Sequence, residues 1–286
     1  MRNFNLLILT LSILGSGLAL SAQLPLRFMT FNIRYESSGD GLNAWAYRKD
    51  RMIAQIERQR PAVLGVQEAL NGQVKDLAGA LHSYEQIGGG RDDGKQAGEF
   101  SALYIDTSLF QVFQTGTFWL SQTPEKPGSM GWDAACPRIV TYARCKERLT
   151  GKFFFVFNTH FDHIGTEARR NSALLLLSKI KEIAADSPTV VMGDFNATPD
   201  QEPVQILLNG TAIKLENTSQ NKGALHEGPL STFNGFSLSN WKDQPIDYIF
   251  TSSGFTTIRH LTLAEIWDTN LFSSDHFPVI VDLNLP

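Results

Sequence analysis

The chain has 286 residues, of which 42% are hydrophobic, 19% are charged and 10% are aromatic. This composition excludes a disordered chain and a coiled coil, and the length allows one or two domains with a sizeable core. The net charge of −4 argues against a protein that coats nucleic acid, because binding many phosphates requires clustered cations. Any phosphate ligand is therefore expected at a local site.

The first 22 residues have the pattern of a secretory signal peptide. A positive start at Arg2 precedes an apolar run from Leu6 to Leu14, and small residues lead to Ala22. A membrane anchor is the competing interpretation, but polar residues interrupt the run, which falls short of the ~20 apolar residues that span a bilayer. We expect cleavage after Ala22, with Ala19 as the alternative. Since no later stretch of sequence is long enough to span a membrane, residues 23–286 are expected to form a secreted or periplasmic product.

Strand-type and helix-type patterns alternate along the rest of the chain. The clearest helix starts at Thr166, because its apolar residues recur every three or four positions and Thr166 can cap it. The predicted strands are Leu26–Ile33, Ala62–Val66, Phe100–Ile105, Phe110–Leu120, Ile139–Lys146, Phe153–His160, Thr189–Met192, Ile246–Phe250 and Phe277–Leu283. The predicted helices are Tyr47–Arg60, Asn71–Leu81, Thr166–Ala185 and Glu202–Leu208. One domain of two packed sheets flanked by helices is the simplest arrangement.

Two cysteines, Cys136 and Cys145, would suggest a disulfide in an exported protein. The predicted strand Ile139–Lys146 separates them, and at ~3.3 Å per residue it holds them beyond the ~7 Å Cα limit of a disulfide. We therefore expect unpaired or buried thiols, unless the strand is bent into a hairpin.

Polar residues follow or end the apolar strands at six places, where a rigid scaffold commonly presents its chemistry. Taken singly, each has an ordinary interpretation as a turn residue, a cap or a core histidine. Taken together, carboxylates and carboxamides without a neighbouring Lys or Arg form the oxygen-rich set that Mg²⁺ prefers. The places are Asn32, Glu68, 158–163, 194–196, Asp247 and 274–276.

The motifs around these residues resemble those of the endonuclease/exonuclease/phosphatase superfamily, which includes deoxyribonuclease I, exonuclease III, neutral sphingomyelinases and inositol polyphosphate 5-phosphatases. They occur in the family's order from about residue 26 to 283. The motifs are Phe31-Asn32-Ile33-Arg34, Val66-Gln67-Glu68, Asn158-Thr159-His160, Gly193-Asp194-Phe195-Asn196, Ile246-Asp247-Tyr248-Ile249 and Ser274-Asp275-His276-Phe277-Pro278-Val279. The resemblance implies an α/β fold, a four-layer sandwich in which two packed mixed sheets are flanked by helices.

The resemblance implies a metal centre and a positioned water. Glu68, with Asn32 and Asp275, would hold Mg²⁺ or Mn²⁺, which polarises a phosphoryl oxygen. Asp194 would orient or deprotonate the attacking water, and Asn196 would position water or phosphate.

Histidine roles follow from the same resemblance. His276, paired with Asp247, would stabilise the phosphate or transfer a proton. Glu99 and His160 match a second acid and histidine pair of the deoxyribonuclease I branch. Arg138 matches a phosphate-contacting arginine of that branch.

Two further positions concern substrate choice. The DNA-repair branch usually has an acid or amide two residues after the first Asn, where this sequence has Arg34, so abasic-site cleavage is not implied. His163, followed by Arg169-Arg170, resembles a bacterial exported subgroup. It is either a substrate contact or a loop residue that tightens the strand-to-helix turn, and both interpretations stay open.

The leading hypothesis is a monomeric, secreted, metal-dependent phosphoesterase that hydrolyses a phosphodiester or phosphomonoester by in-line attack of water. A small or exposed phosphate ester fits the acidic charge best. A nuclease would want a basic rim, so a nucleic-acid partner is not favoured, and a sphingomyelinase would want an exposed apolar hairpin, for which Phe110–Leu120 is the nearest candidate. The alternative from another class is a non-catalytic binding module that retains the fold.

Overall fold

The computed structural model describes residues 24–239, 241–267 and 270–286, so the proposed signal peptide lies outside the described residues. Its helices are α1 (Trp45–Gln59), α2 (Asn71–Ala80), α3 (Thr166–Ala184) and α4 (Glu202–Asn209). Its strands are β1 (Leu26–Asn32), β2 (Val63–Gln67), β3 (Tyr84–Ile87), β4 (Leu103–Asp106), β5 (Phe110–Trp119), β6 (Ile139–Glu147), β7 (Phe153–His160), β8 (Thr189–Asp194), β9 (Leu215–Asn217), β10 (Leu225–Glu227), β11 (Asp247–Ser252), β12 (Thr256–Thr262) and β13 (Val279–Asn284).

These strands form two mixed sheets. In the described part of the chain, the first sheet has seven strands in the order β10-β12-β13-β1-β2-β4-β3, and the second has six in the order β5-β6-β7-β8-β11-β9. Strand β1 runs parallel to β2 and antiparallel to β13, while β8 runs parallel to β7 and antiparallel to β11. The predicted fold of two mixed sheets is confirmed.

Among the described residues, three apolar clusters hold the layers together. The central cluster joins the inner faces of both sheets, as in the edge-to-face contact of Phe28 with Phe154, whose ring centroids lie 5.7 Å apart. A second cluster packs α3 and α4 on the β7-β8-β11 sheet, and a third packs α1 and α2 on the β1-β2 sheet. Burying a side chain of this size contributes about 1.5–3 kcal/mol. The central strands are apolar on both faces, so each sheet is covered by the other sheet on one face and by helices on the other, which gives four layers.

A polar link crosses the central cluster. The Asn158 side chain on β7 donates to the carbonyls of Val66 and Ala102 at 2.9 Å each, and it accepts from Gln67 at 2.6 Å. Gly65 leaves the space that this link requires, because a Cβ there would lie 2.8 Å from the Asn158 side chain. Asn158, which the sequence places at a functional strand end, therefore fixes the two sheets against each other.

Some local predictions differ from the structure. The predicted cap at Thr166 is wrong: α3 follows Gly165, and Asp133, 35 residues before Ala168, accepts from the Ala168 amide at 2.6 Å. The short strands β3, β9 and β10 and the longer β12 were not predicted.

The cysteine prediction is confirmed, since both Cys136 and Cys145 are free. The predicted Phe110–Leu120 strand is β5, which forms an edge of the second sheet. Among the described helices, none combines the length and the apolar character that crossing a bilayer would require.

Candidate active site

The strand-end residues meet at one edge of the two sheets. Asn32, His160 and Asp194 are the last residues of β1, β7 and β8, and Glu68 follows β2. Parallel strands bring their carboxyl ends to the same edge, and antiparallel strands begin there. Asp247, which begins β11, accordingly pairs in register with Asp194. The topology thus gathers residues that are distant in sequence.

Asp194 lies at the centre of this cluster. Its Oδ2 accepts from Asn32 Nδ2 at 2.9 Å and lies 3.4 Å from His160 Nε2 and 3.8 Å from His276 Nε2. Burial raises the pKa of Asp194 to about 7, and repulsion from Asp247 acts in the same direction. A carboxyl group with this pKa exchanges a proton near neutral pH, as a general base must.

His276 is paired with Asp247, as the sequence predicts, through a contact of 2.8 Å between His276 Nδ1 and Asp247 Oδ2. Burial disfavours the imidazolium, but the charges of Asp247, Asp194 and Asp275 outweigh it and hold the pKa of His276 well above its usual value. His276 is therefore protonated at neutral pH, and its Nε2 presents a proton on the side of Asp194.

His160 has the opposite protonation state. Burial lowers its pKa well below the usual value, and the nearby charges of Arg138 and Arg91 lower it further. The neutral ring accepts from Asn196 Nδ2, which lies 3.0 Å from His160 Nε2 and also donates to the Phe161 carbonyl. The site therefore has a charged histidine and a neutral histidine on the two sides of Asp194.

The predicted metal ligands form the acidic end of the site. Asn32 Nδ2 donates to Glu68 Oε1 at 3.0 Å, and the Tyr35 amide donates to Glu68 Oε2 at 3.1 Å. The Arg34 guanidinium lies 4.0 Å from both Glu68 Oε2 and Asp275 Oδ2. Burial raises the pKa of Asp275, and the neighbouring charge of Glu68 adds to this.

This donor set fits a hard divalent cation. Ligand atoms of Glu68, His160 and Asp194 lie within 4.8 Å of one another, and so do those of Asp194, Asp247 and His276. Three of these five residues offer carboxylate oxygens and two offer imidazole nitrogens, a set that suits Mg²⁺ or Mn²⁺. Oxygen ligands for such an ion are thus available on both sides of Asp194.

Strained backbone marks the same residues. Arg34, Glu68 and Asn196 adopt positive φ angles of 55°, 64° and 47°. This conformation is unfavourable for residues with a Cβ, and it clusters at functional sites where the surroundings enforce it. At Arg34 and Asn196 the side chains of Asn32 and Asp194 hold this conformation, since they accept from the Arg34 and Asn196 amides at 3.0 and 2.9 Å.

The remaining predicted residues lie on the other side of His160. Glu99 lines a small cavity with His160, but its carboxylate pairs with Arg91 Nη1 at 2.5 Å rather than with the imidazole. Arg138 Nη2 contacts His163 Nδ1 at 2.9 Å, so His163 touches the arginine that the family resemblance assigns to phosphate binding. Sequence reasoning missed Arg91, whose only signal was the glycine-rich turn before it.

Arg48, on α1, is a second residue that sequence reasoning missed. Its side chain is fully buried, and it donates to four backbone carbonyls. Burial lowers the pKa of Arg48 to about 10. On the sequence it is one polar position of an amphipathic helix, so nothing local distinguishes it from its exposed neighbours.

Comparison with known proteins identifies the family. Residues 29–276 match the model of the Endonuclease/Exonuclease/phosphatase family. The chain belongs to this family. A family member from Bacteroides vulgatus has a similar structure, with 40% identity, a TM-score of 0.88 and coverage of 92% of this chain and 100% of that one.

Two other proteins that resemble this chain are informative. The mannosyl-6-phosphatase of Bacteroides thetaiotaomicron is 34% identical, with a TM-score of 0.85 and coverage of 91% of this chain and 100% of that one. An uncharacterized protein of Acanthamoeba polyphaga mimivirus is 27% identical over 252 residues, which are 83% of this chain and 91% of the relative. The family resemblance inferred from the motifs and the four-layer fold that it implies are both confirmed.

Proposed function

We propose that this chain is a divalent-metal-dependent phosphoesterase that hydrolyses small phosphate esters, with sugar phosphate monoesters as the preferred class. The observation that carries the proposal is the buried Asp194 carboxylate, whose Oδ2 lies 3.4 Å from His160 Nε2 and 3.8 Å from His276 Nε2, next to the acidic end formed by Glu68 and Asp275. The similarity to a mannosyl-6-phosphatase supports the substrate class.

Each residue has a physical task in this reaction. Glu68, Asn32 and Asp275 would hold the metal ion, which supplies positive charge to the phosphoryl oxygens when bound. Asp194 accepts a proton from the attacking water as the new P–O bond forms and the ester P–O bond breaks, and the leaving alcohol oxygen takes a proton from solvent. Asn196 orients that water or the phosphate.

The protonated His276 donates a hydrogen bond to a phosphoryl oxygen, and Asp247 keeps its imidazolium charged. On the other side, Arg138 and His163, which contact each other, would lie against the substrate. The net charge of −4 disfavours a long nucleic-acid substrate. We further propose that residues 1–22 are a cleaved signal peptide and that the enzyme acts outside the cytoplasm as a monomer.

The proposal is tested by phosphate release from mannose 6-phosphate with Mg²⁺ or Mn²⁺. We expect EDTA to abolish turnover and either ion to restore it. Asp194→Asn should lower kcat by about 10²–10⁴-fold, because it removes the base. Asp200→Asn is the matched control, since Asp200 is exposed and lies six residues further on.

Full activity in EDTA would contradict the metal dependence. An Asp194→Asn variant with the kcat of the wild type would contradict the role of Asp194 as the general base. A folded protein that turns over no phosphate ester in the presence of either ion would instead support a non-catalytic binding module.

A further inference from the structure

A second polar cluster adjoins the candidate active site on the side of His160. Arg91, Glu99 and Arg138 line a cavity of about 10 Å³ together with His160. A cavity of this size accommodates one water-sized group, such as a single oxygen atom. An oxygen placed there lies next to the imidazole that is 3.4 Å from Asp194.

Arg91 is held rigidly on the loop of residues 88–99. The Trp119 indole donates to the Arg91 carbonyl at 2.6 Å, and the Arg91 amide donates to the Glu99 carbonyl at 3.0 Å. The Arg91 guanidinium in turn pairs with the Glu99 carboxylate. Backbone and side chain are therefore both fixed, which is the condition for a specific contact with a ligand.

The two arginines of this cluster have hydrogen-bonding capacity to spare. Within the described residues, Arg91 Nε and Arg138 Nη1 are buried and have no hydrogen-bond partner. The Arg138 side chain is only 5% exposed, and its other donors face Asp162 and His163. Leaving a buried donor unpaired is unfavourable. Two such donors on residues that line one small cavity point to an oxygen of a ligand that accepts from them.

The charge balance decides which oxygen this is. Arg91 is neutralised by Glu99, and Arg138 by Asp162. A second phosphate would therefore gain little net attraction at this cluster. A hydroxyl group, which accepts from a guanidinium and donates to a carboxylate, matches the combination of Arg91 and Glu99.

We propose that Arg91, Glu99 and Arg138 form a subsite that binds a hydroxyl group of the substrate's alcohol portion, which makes the substrate the phosphate ester of a sugar or polyol. This inference rests on the proposed phosphoesterase function. Arg91 is then a specificity-determining residue: it favours substrates that carry a hydroxyl group over those that do not.

The test compares two esters that differ in hydroxyl groups. Mannose 6-phosphate and cyclohexylmethyl phosphate are both phosphates of a ring-bearing primary alcohol, but the second has no hydroxyl. We expect Arg91→Met to lower the ratio of their kcat/KM values at least tenfold from the wild-type ratio, since a site built around a hydroxyl discriminates through it. Arg91→Lys keeps the charge but loses the planar fork, so it should lower the ratio as well.

Lys95→Met is the matched control, because Lys95 is an exposed cation on the same loop. It should keep the ratio within twofold of the wild type. Misfolding would reduce turnover of both esters together, so the ratio separates specificity from stability.

Three outcomes would overturn the subsite. An equal loss of kcat/KM on both esters in the Arg91 variants would show that Arg91 does not determine specificity. A wild type that hydrolyses cyclohexylmethyl phosphate at least as well as mannose 6-phosphate would refute the subsite and leave the proposed function standing. A wild type that hydrolyses neither ester would overturn both.

Discussion

Arg48 ties together two of the three chain segments that carry candidate metal ligands, those of Asn32 and Asp275. Its Nη1 donates to the carbonyls of Ile33 and Ser273 at 2.6 and 3.0 Å, and its Nη2 donates to the carbonyl of Arg34 at 2.6 Å. Its Nε donates to the Asn43 carbonyl at 2.8 Å. One guanidinium on α1 thus connects the chain just after β1 with the chain just before β13.

The substitution Arg48→Met keeps most of the aliphatic stem and removes all four hydrogen bonds. A hydrogen bond to a charged group contributes about 1.5–3 kcal/mol net, and the substitution leaves no unpaired charge because the four partners are neutral carbonyls. Burial of the guanidinium, which lowers its pKa to about 10, is itself unfavourable, and relieving it offsets part of this loss. We therefore expect the free energy of unfolding to fall by about 3 kcal/mol, the contribution of one or two such hydrogen bonds.

A functional loss should accompany the loss of stability. Ile33 follows Asn32, and Ser273 lies two residues before Asp275, so loosening these carbonyls displaces two candidate metal ligands. We expect Mn²⁺ to bind at least tenfold more weakly, measured by isothermal titration calorimetry at a temperature where the variant is folded. Arg51→Met, one turn further along α1, is the control, because Arg51 is more exposed and donates to the Tyr47 and Phe272 carbonyls.

The two measurements refute different parts of this reasoning. An Arg48→Met variant with unchanged Mn²⁺ affinity but lower stability would show that Arg48 supports the core and not the ligands. A variant with unchanged stability in urea would show that the four hydrogen bonds give no net stabilisation.

Two further predictions concern charge. Arg34→Gln should tighten Mn²⁺ binding about threefold to tenfold in calorimetry, because it removes a positive charge 4.0 Å from Glu68 and Asp275, and Arg34→Lys should not. Burial lowers the pKa of His260 from 6.5 to about 4. Between these two pH values the unfolded chain protonates this histidine and the folded protein does not. The free energy of unfolding should therefore fall by about 3 kcal/mol as the pH drops through this window. His260→Gln should therefore reduce the difference in unfolding free energy between pH 7.5 and 4.5, and an unreduced difference would contradict it.

The sequence could predict the residues at the candidate site because their positions follow from topology. Asn32, His160 and Asp194 end apolar strands, and parallel apolar strands bring such ends to one edge. The same logic could not predict the partner of Glu99, since the Arg91 contact depends on the path of the 88–99 loop, which has no periodic pattern. Local sequence alone therefore does not specify the contact between Glu99 and Arg91.

Long-range contacts account for the other failures. The α3 cap at Asp133 comes from a loop far before the helix, so a local cap at Thr166 was the wrong expectation. Asn158 belongs to a family motif, yet its side chain links the two sheets. The short strands β3, β9 and β10 have three or four residues each, too few for an alternating pattern to show.

The site has two ends of different character, and different parts of the chain specify them. In the proposed function, the family motifs at the strand ends supply the acidic end around Glu68 and the central Asp194, which would hold the metal and accept the proton whatever the phosphate ester. The other end, with Arg91 and Glu99, is held by the 88–99 loop. Loops on a fixed scaffold change without disturbing the core, so chemistry and substrate choice can vary independently.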